Sequence, residues 1–165
     1  MLKRLDSINE HVGRLSAWLA TVLVIIVVAN VMLRYCFNSG QIWLSELSWH
    51  VYAAMFLLGG AYALKHNRHV RVDVFYSRWS STTKGIVDLI GYIFFLIPFC
   101  LMGMITAWPY AMRSLTRNEH SNEASGLPAR YIIKFVIVVA FALLLIQAVV
   151  EVLRIIQKRL NTKSI

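Results

Sequence analysis

Acidic side chains are scarce in this sequence, and the middle of its long apolar runs holds none. Only 8 Asp and Glu stand against 17 Lys and Arg in 165 residues, and charged residues make up 15% of the chain. A soluble domain carries roughly a quarter charged residues. That shortfall excludes a water-soluble enzyme and a disordered tail. Cysteine is almost missing too: Cys36 lies beside an apolar run and Cys100 inside one. Such a pair supports neither a disulfide framework nor a membrane thiol oxidoreductase. Cys100 reads as buried apolar filler. No phosphate-binding loop, metal-spaced cluster or nucleophile motif appears, so no catalytic residue, metal or cofactor is assigned to this chain.

What is present is apolar. Hydrophobic residues account for 58% of the sequence, and mean hydropathy is +0.61. Four stretches meet the requirement of roughly 20 apolar residues for a membrane span, at about 15–34, 46–64, 86–112 and 130–152. Backbone groups in hydrocarbon must be satisfied within their own segment, so each stretch is a helix. The expectation is an all-α membrane protein, one domain over 1–165 with four transmembrane helices and short amphipathic interfacial helices. The run Arg34-Tyr35-Cys36-Phe37 offers no small-x-small cleavage site after the first span, which therefore reads as a retained anchor rather than a signal peptide. The net charge of +9 fits cations flanking spans at anionic headgroups, and no nucleic-acid partner is expected.

Lys and Arg divide unevenly between the two sides. One side gathers Lys3, Arg4 and Arg14, then Lys65, Arg68, Arg71, Arg78 and Lys84, then Arg154, Lys158, Arg159 and Lys163. The other holds Arg34, Arg113, Arg117, Arg130 and Lys134. The positive side is cytoplasmic. Both termini and the middle loop are expected there, with 35–46 and 113–130 external.

Ionisable residues inside a span are functional candidates by default, and here they are few. His50 lies near the outer end of span two and Asp88 at the inner mouth of span three, where it is expected to meet headgroups or a partner. Lys134 is one turn into span four and is expected to snorkel to the headgroups. Glu151 and Arg154 are spaced to pair on one helical face. A proton relay lacks its mid-membrane carboxylate, and a haem anchor lacks a facing histidine at the depth of His50.

The connections carry the remaining signals. Leu2, Leu5, Ile8, Val12 and Leu15 recur at helical spacing, which predicts a short interfacial helix before span one. His69-Val70-Arg71-Val72-Asp73-Val74 alternates with period two and predicts an extended connector, followed by a short helix held by Phe75, Tyr76 and Trp79. Ser80-Ser81-Thr82-Thr83 supplies caps for span three. Gly59, Gly60, Gly91 and Gly103 allow close helix approach, and Pro98 is expected to kink span three. Gly126 breaks the chain before span four and Pro128 suits that helix's first turn. Trp43 reads as an interface anchor. Glu46, in the first turn of span two, either pairs locally with Arg34 or faces a partner subunit. Arg68, Arg71, Arg78 and Lys84 beside Trp79 form a basic and aromatic cluster suited to phospholipid headgroups. Arg113, Arg117, Glu119, His120 and Glu123 offer an external partner a mixed-charge surface.

In order along the chain, Arg34-Tyr35, Trp43-Leu44-Ser45-Glu46-Leu47, Gly60-Ala61-Tyr62-Ala63-Leu64, His69-Val70-Arg71-Val72-Asp73 and Glu123-Ala124-Ser125-Gly126-Leu127-Pro128 form one pattern. The pattern resembles the small membrane subunit (DctQ-like) of tripartite ATP-independent periplasmic, or TRAP, transporters. Ser45 departs from it, since many relatives carry a second acid there. The resemblance implies a subunit of the bacterial inner (cytoplasmic) membrane without transport chemistry of its own. Its partners would be a large permease subunit (DctM-like) that holds the substrate and Na+ sites, and a periplasmic substrate-binding protein (DctP-like). The implied transporter moves organic acids inward on a sodium gradient, and the small subunit braces its immobile scaffold. Arg34, Trp43, Glu46, His69, Arg71 and Asp73 are then candidates for the subunit interface. The basic tail from Arg154 to Ile165 suits the separate form of the subunit rather than the fused one. Two alternatives from other classes are the membrane anchor of a respiratory enzyme and a small self-sufficient four-span transporter.

Overall fold

The computed structural model describes residues 2–66, 68, 76 and 78–163, with the backbone alone for 2–4 and 160–163. Its long elements are the helices α1 (Leu2–Cys36), α2 (Ile42–Lys65), α3 (Ser81–Thr116) and α4 (Tyr131–Lys163). Each contains a stretch long and apolar enough to cross a membrane. The chain is an all-α, multi-pass membrane protein.

Polar contacts fix the alternation of the helices. Asp6 near the start of α1 pairs with Arg154 late in α4. Lys65 at the end of α2 donates to Glu10 at 2.7 Å, and Arg159 of α4 donates to the Thr82 carbonyl at the start of α3 at 3.2 Å. These contacts share one end of the bundle, called here the terminal end. The connections 37–41 and 117–130 share the other, the loop end. Across the bundle the helices lie in the order α1, α2, α4, α3, with the main contacts between neighbours in that order. A third of the apolar window of α4 is buried inside the chain (33%), against 6% for those of α1 and α3. Helix α4 is the keystone, and the outer faces of α1 and α3 are left uncovered.

Two apolar clusters hold α4 in place. Leu64, Tyr92 and Ala148 join α2, α3 and α4, while Ala107, Ala111 and Val138 join α3 and α4. Phe99 meets Phe141 edge-on, with ring centroids 5.6 Å apart. Cys100 is fully buried, as its reading as apolar filler predicts. Small residues set the closeness of approach at a few points only. A Cβ at Gly103 would lie 2.6 Å from the Phe141 ring, and one at Gly59 would lie 3.5 Å from Ser16 Oγ. Among the described residues, Gly60 and Gly91 have nothing within 4 Å of that position, so the close approach expected there is not made by those residues. Gly13, unremarked in the sequence, packs where the Tyr62 ring leaves no room for a Cβ.

Two local expectations change. The first residues are not a separate interfacial helix but the beginning of α1, which runs unbroken from Leu2. No proline interrupts this segment, and its one glycine sits against Tyr62, so nothing stops the helix. At Pro98, where a kink is expected, the helix carries a π-helical turn over Gly91–Leu96 just ahead of the proline. Pro98 has no N–H for the Phe94 carbonyl, and a widened turn re-routes the bonding just before it. Pro128 lies three residues ahead of α4 rather than in its first turn, because Ala129 takes a left-handed φ of 61° and delays the helix to Tyr131. The capping expectation holds at Ser80, whose hydroxyl accepts the Thr83 N–H at 3.2 Å.

Candidate functional site

Glu46 organises the loop end. Helix α2 begins at Ile42, so Glu46 stands in its second turn rather than the first, and its partners come from elsewhere in the chain. The carboxylate accepts the Leu127 N–H at 2.6 Å and the Ser121 hydroxyl. It is only 8% exposed. Ser121 N–H in turn donates to the Leu127 carbonyl at 3.1 Å, joining the two arms of the 117–130 loop. A Cβ on Gly126 would fall on Ser121 and within 2.8 Å of Glu46 Oε2. Glycine is needed there for a close approach, beyond its value as a chain breaker.

A second pair fastens the base of the same loop. Lys134 forms an ion pair with Glu119, and the Ser114 hydroxyl donates to the same carboxylate at 2.7 Å. The Lys134 ammonium sits 4.0 Å from the Tyr110 ring centroid and is almost fully buried. The snorkelling expected of this lysine does not occur. An opposite charge and an aromatic face lie within its reach, and both reward a desolvated cation. Lys134, followed by Ser114, holds the Glu119 carboxyl below the usual carboxylate range. The turn out of α3 is made by Asn118 at φ 46°, with Asn118 N–H bonded to Leu115 O and Glu119 N–H to Ser114 O, both at 3.0 Å. A left-handed residue closing the last helical turn is a common stop.

The terminal end carries a longer polar chain. Asn9 donates to Gln147 at 2.7 Å, Gln147 to Glu151 at 2.7 Å, and Arg154 to Glu151 at 2.7 Å and to Asp6. The pairing of Glu151 with Arg154 agrees with their spacing in the sequence. Asn9 and Gln147 are 1% and 0% exposed. Nothing in the sequence ties these two amides together, because 138 positions separate them.

The other sequence candidates are dispersed. Arg34 is exposed and makes no ion pair among the described residues, so the local pair with Glu46 is not formed. Its neighbour Asn30 instead donates to Ser45 at 3.0 Å, tying α1 to α2. Trp43 is 40% exposed. Arg113, Arg117 and Glu123 are exposed on and beside the 117–130 loop, as are Arg68, Arg78 and Trp79 at the terminal end. Lys84 lies 5.2 Å from the Tyr76 ring centroid, and Tyr76 donates to Asp88 at 2.7 Å. His50 bonds through Nδ1 to the Glu46 carbonyl at 2.7 Å and stacks on Trp49. His69, Arg71 and Asp73 lie outside the described residues, together with most of the expected extended connector.

The site that results binds loops and helix ends together. Comparison with known proteins gives this arrangement its context. The family model for tripartite ATP-independent periplasmic transporters, DctQ component, matches residues 23–158. The chain is also similar to the C4-dicarboxylate TRAP transporter small permease protein DctQ of Vibrio cholerae serotype O1, at 28% identity over 105 residues. That match covers 64% of this chain and 44% of the relative's length.

Proposed function

The chain belongs to the DctQ family of TRAP-transporter components, and on that premise we propose that it is the small membrane subunit of a sodium-coupled, binding-protein-dependent transporter for organic acids. In this reading it braces the scaffold of a DctM-like large subunit, which holds the substrate and Na+ sites. A DctP-like binding protein delivers substrate to the loop end, which faces the periplasm. Both termini lie on the cytoplasmic side of the inner membrane, where Arg68, Arg78, Trp79 and Lys84 meet phospholipid headgroups.

One observation carries the bracing role. The described carboxylates divide between the two ends: Asp6, Glu10, Asp88 and Glu151 at one, Glu46, Glu119 and Glu123 at the other. Among the described residues, the layer between them holds no acid to carry a proton or cation across. The outer faces of α1 and α3 meanwhile expose Trp18, Ile25, Phe94, Phe95 and Ile105, apolar surface available to lipid or to a partner's helices. Uncovered apolar sides, with no described acid between the two ends, suit a support rather than a carrier. Reconstitution tests it: the chain alone in vesicles is expected to give no uptake, and the chain with its large subunit and binding protein to give sodium-dependent uptake. Uptake by the isolated chain would overturn the reading.

A further inference from the structure

Glu46 reaches from α2 to both arms of the 117–130 loop, taking the Ser121 hydroxyl on one and the Leu127 N–H on the other. Inside the closed tip the backbone is turned inward. Glu123 N–H donates to Ser121 Oγ at 3.2 Å, and Gly126 N–H to the Glu123 carbonyl at 3.0 Å. The side chains of Asn122, Glu123, Ala124 and Ser125 are all exposed. A simple connection between two helices needs none of this, since a surface loop can leave its polar groups in water. Burying a carboxylate to hold one shut carries a desolvation cost. What it secures is a fixed shape for an exposed tip.

We infer that Glu46 is a positioning residue for partner recognition: it holds the loop closed so that Asn122–Ser125 form a ready-made contact for the soluble binding protein. The inference rests on the proposed membership of a binding-protein-dependent transporter. A preorganised tip removes the ordering cost that a flexible loop meets on binding. The tip carries one carboxylate, Glu123, among small neighbours, so the matching patch on the partner is cationic. Exposed Arg113 and Arg117 stand at the base of the loop, which gives the surface mixed signs and the contact a salt dependence.

The test uses the assembled membrane complex in nanodiscs and a fluorescently labelled DctP-type binding protein from the same organism. Glu46→Ala leaves the Leu127 N–H without its acceptor and frees the loop. The expected result is about a tenfold weaker apparent Kd, equivalent to about 1.4 kcal/mol, with co-purification of the large subunit unchanged and faster tryptic cleavage after Arg117 or Arg130. Glu46→Gln keeps an oxygen for Leu127 and an amide that can donate to Ser121 Oγ, so its Kd stays within about threefold of wild type. Glu123→Lys alters the tip without touching the clamp and weakens binding at low salt. Faster cleavage in Glu46→Ala with an unchanged Kd overturns the inference. Should Glu46→Ala fail to assemble, Ser121→Ala and Glu123→Lys decide, and unchanged affinity in both overturns it. No binding by the wild-type complex overturns the functional reading itself, and that arm tells the two failures apart.

Discussion

Asn9 of α1 donates its side-chain amide to Gln147 of α4 across 2.7 Å, inside a membrane domain where both residues are buried. The bond joins the first helix to the last. Gln147 passes the connection on to Glu151, and Glu151 to Arg154 and Asp6. The beginning of α1 is therefore fastened to the central helix by polar bonds rather than by apolar packing alone.

A double-mutant cycle on Asn9→Leu and Gln147→Leu should return a coupling of about 0.6 kcal/mol and at most about 1.7 kcal/mol, the average and the maximum for interhelical bonds in membranes. Each single change leaves a buried partner unsatisfied and should destabilise by about 1–3 kcal/mol. The double change should cost less than the sum. Unfolding in mixed micelles measures it, and strict additivity would show that the bond contributes nothing.

The Glu119–Lys134 pair gives the loop end a pH dependence of defined sign. Lys134 first, and Ser114 second, lower the Glu119 carboxyl from its ordinary value. A carboxyl depressed in the folded state stabilises it above the unfolded pKa, and the benefit is lost as pH falls through the folded pKa. The thermal midpoint of Glu119→Gln should therefore lie below wild type at neutral pH. The gap should persist to about pH 4.3, the ordinary glutamate value, and close only beneath it. Melting curves across that range check this, and a gap closing well above the ordinary value contradicts it.

Gly103→Ala should be destabilising, because the added Cβ meets the Phe141 ring at 2.6 Å. Overpacking of this kind costs about 1–3 kcal/mol. Combining it with Phe141→Leu should recover part of the loss, since the ring alone obstructs the methyl group. The same denaturation assay reads both, and an additive double variant would show that the ring is not the obstacle.

Orientation can be read with a thiol probe in a background of Cys36→Ser and Cys100→Ala. Asn122→Cys, exposed at the loop tip, should react with an impermeant reagent added from the periplasmic side. Ser81→Cys, exposed at the terminal end, should react only after the membrane is opened. The opposite pattern would invert the topology.

The sequence by itself determined the four apolar helices, the class of the protein and its family pattern. These depend on composition, run length and short motifs, which are local properties of the chain. It also marked Glu46, Lys134, Gly103 and Gly126 as worth explaining, but it gave them the wrong partners or none. The helical period says which residues share a face, and Glu151 with Arg154, three apart, was legible for that reason. It says nothing of which faces meet. Glu46 with Leu127, Lys134 with Glu119, and Asn9 with Gln147 are 81, 15 and 138 positions apart. Only the packing of α4 between α2 and α3 brings each pair within hydrogen-bonding distance. The same packing decided that Lys134 turns inward, because a buried ammonium goes to the nearest carboxylate and ring rather than to a distant headgroup.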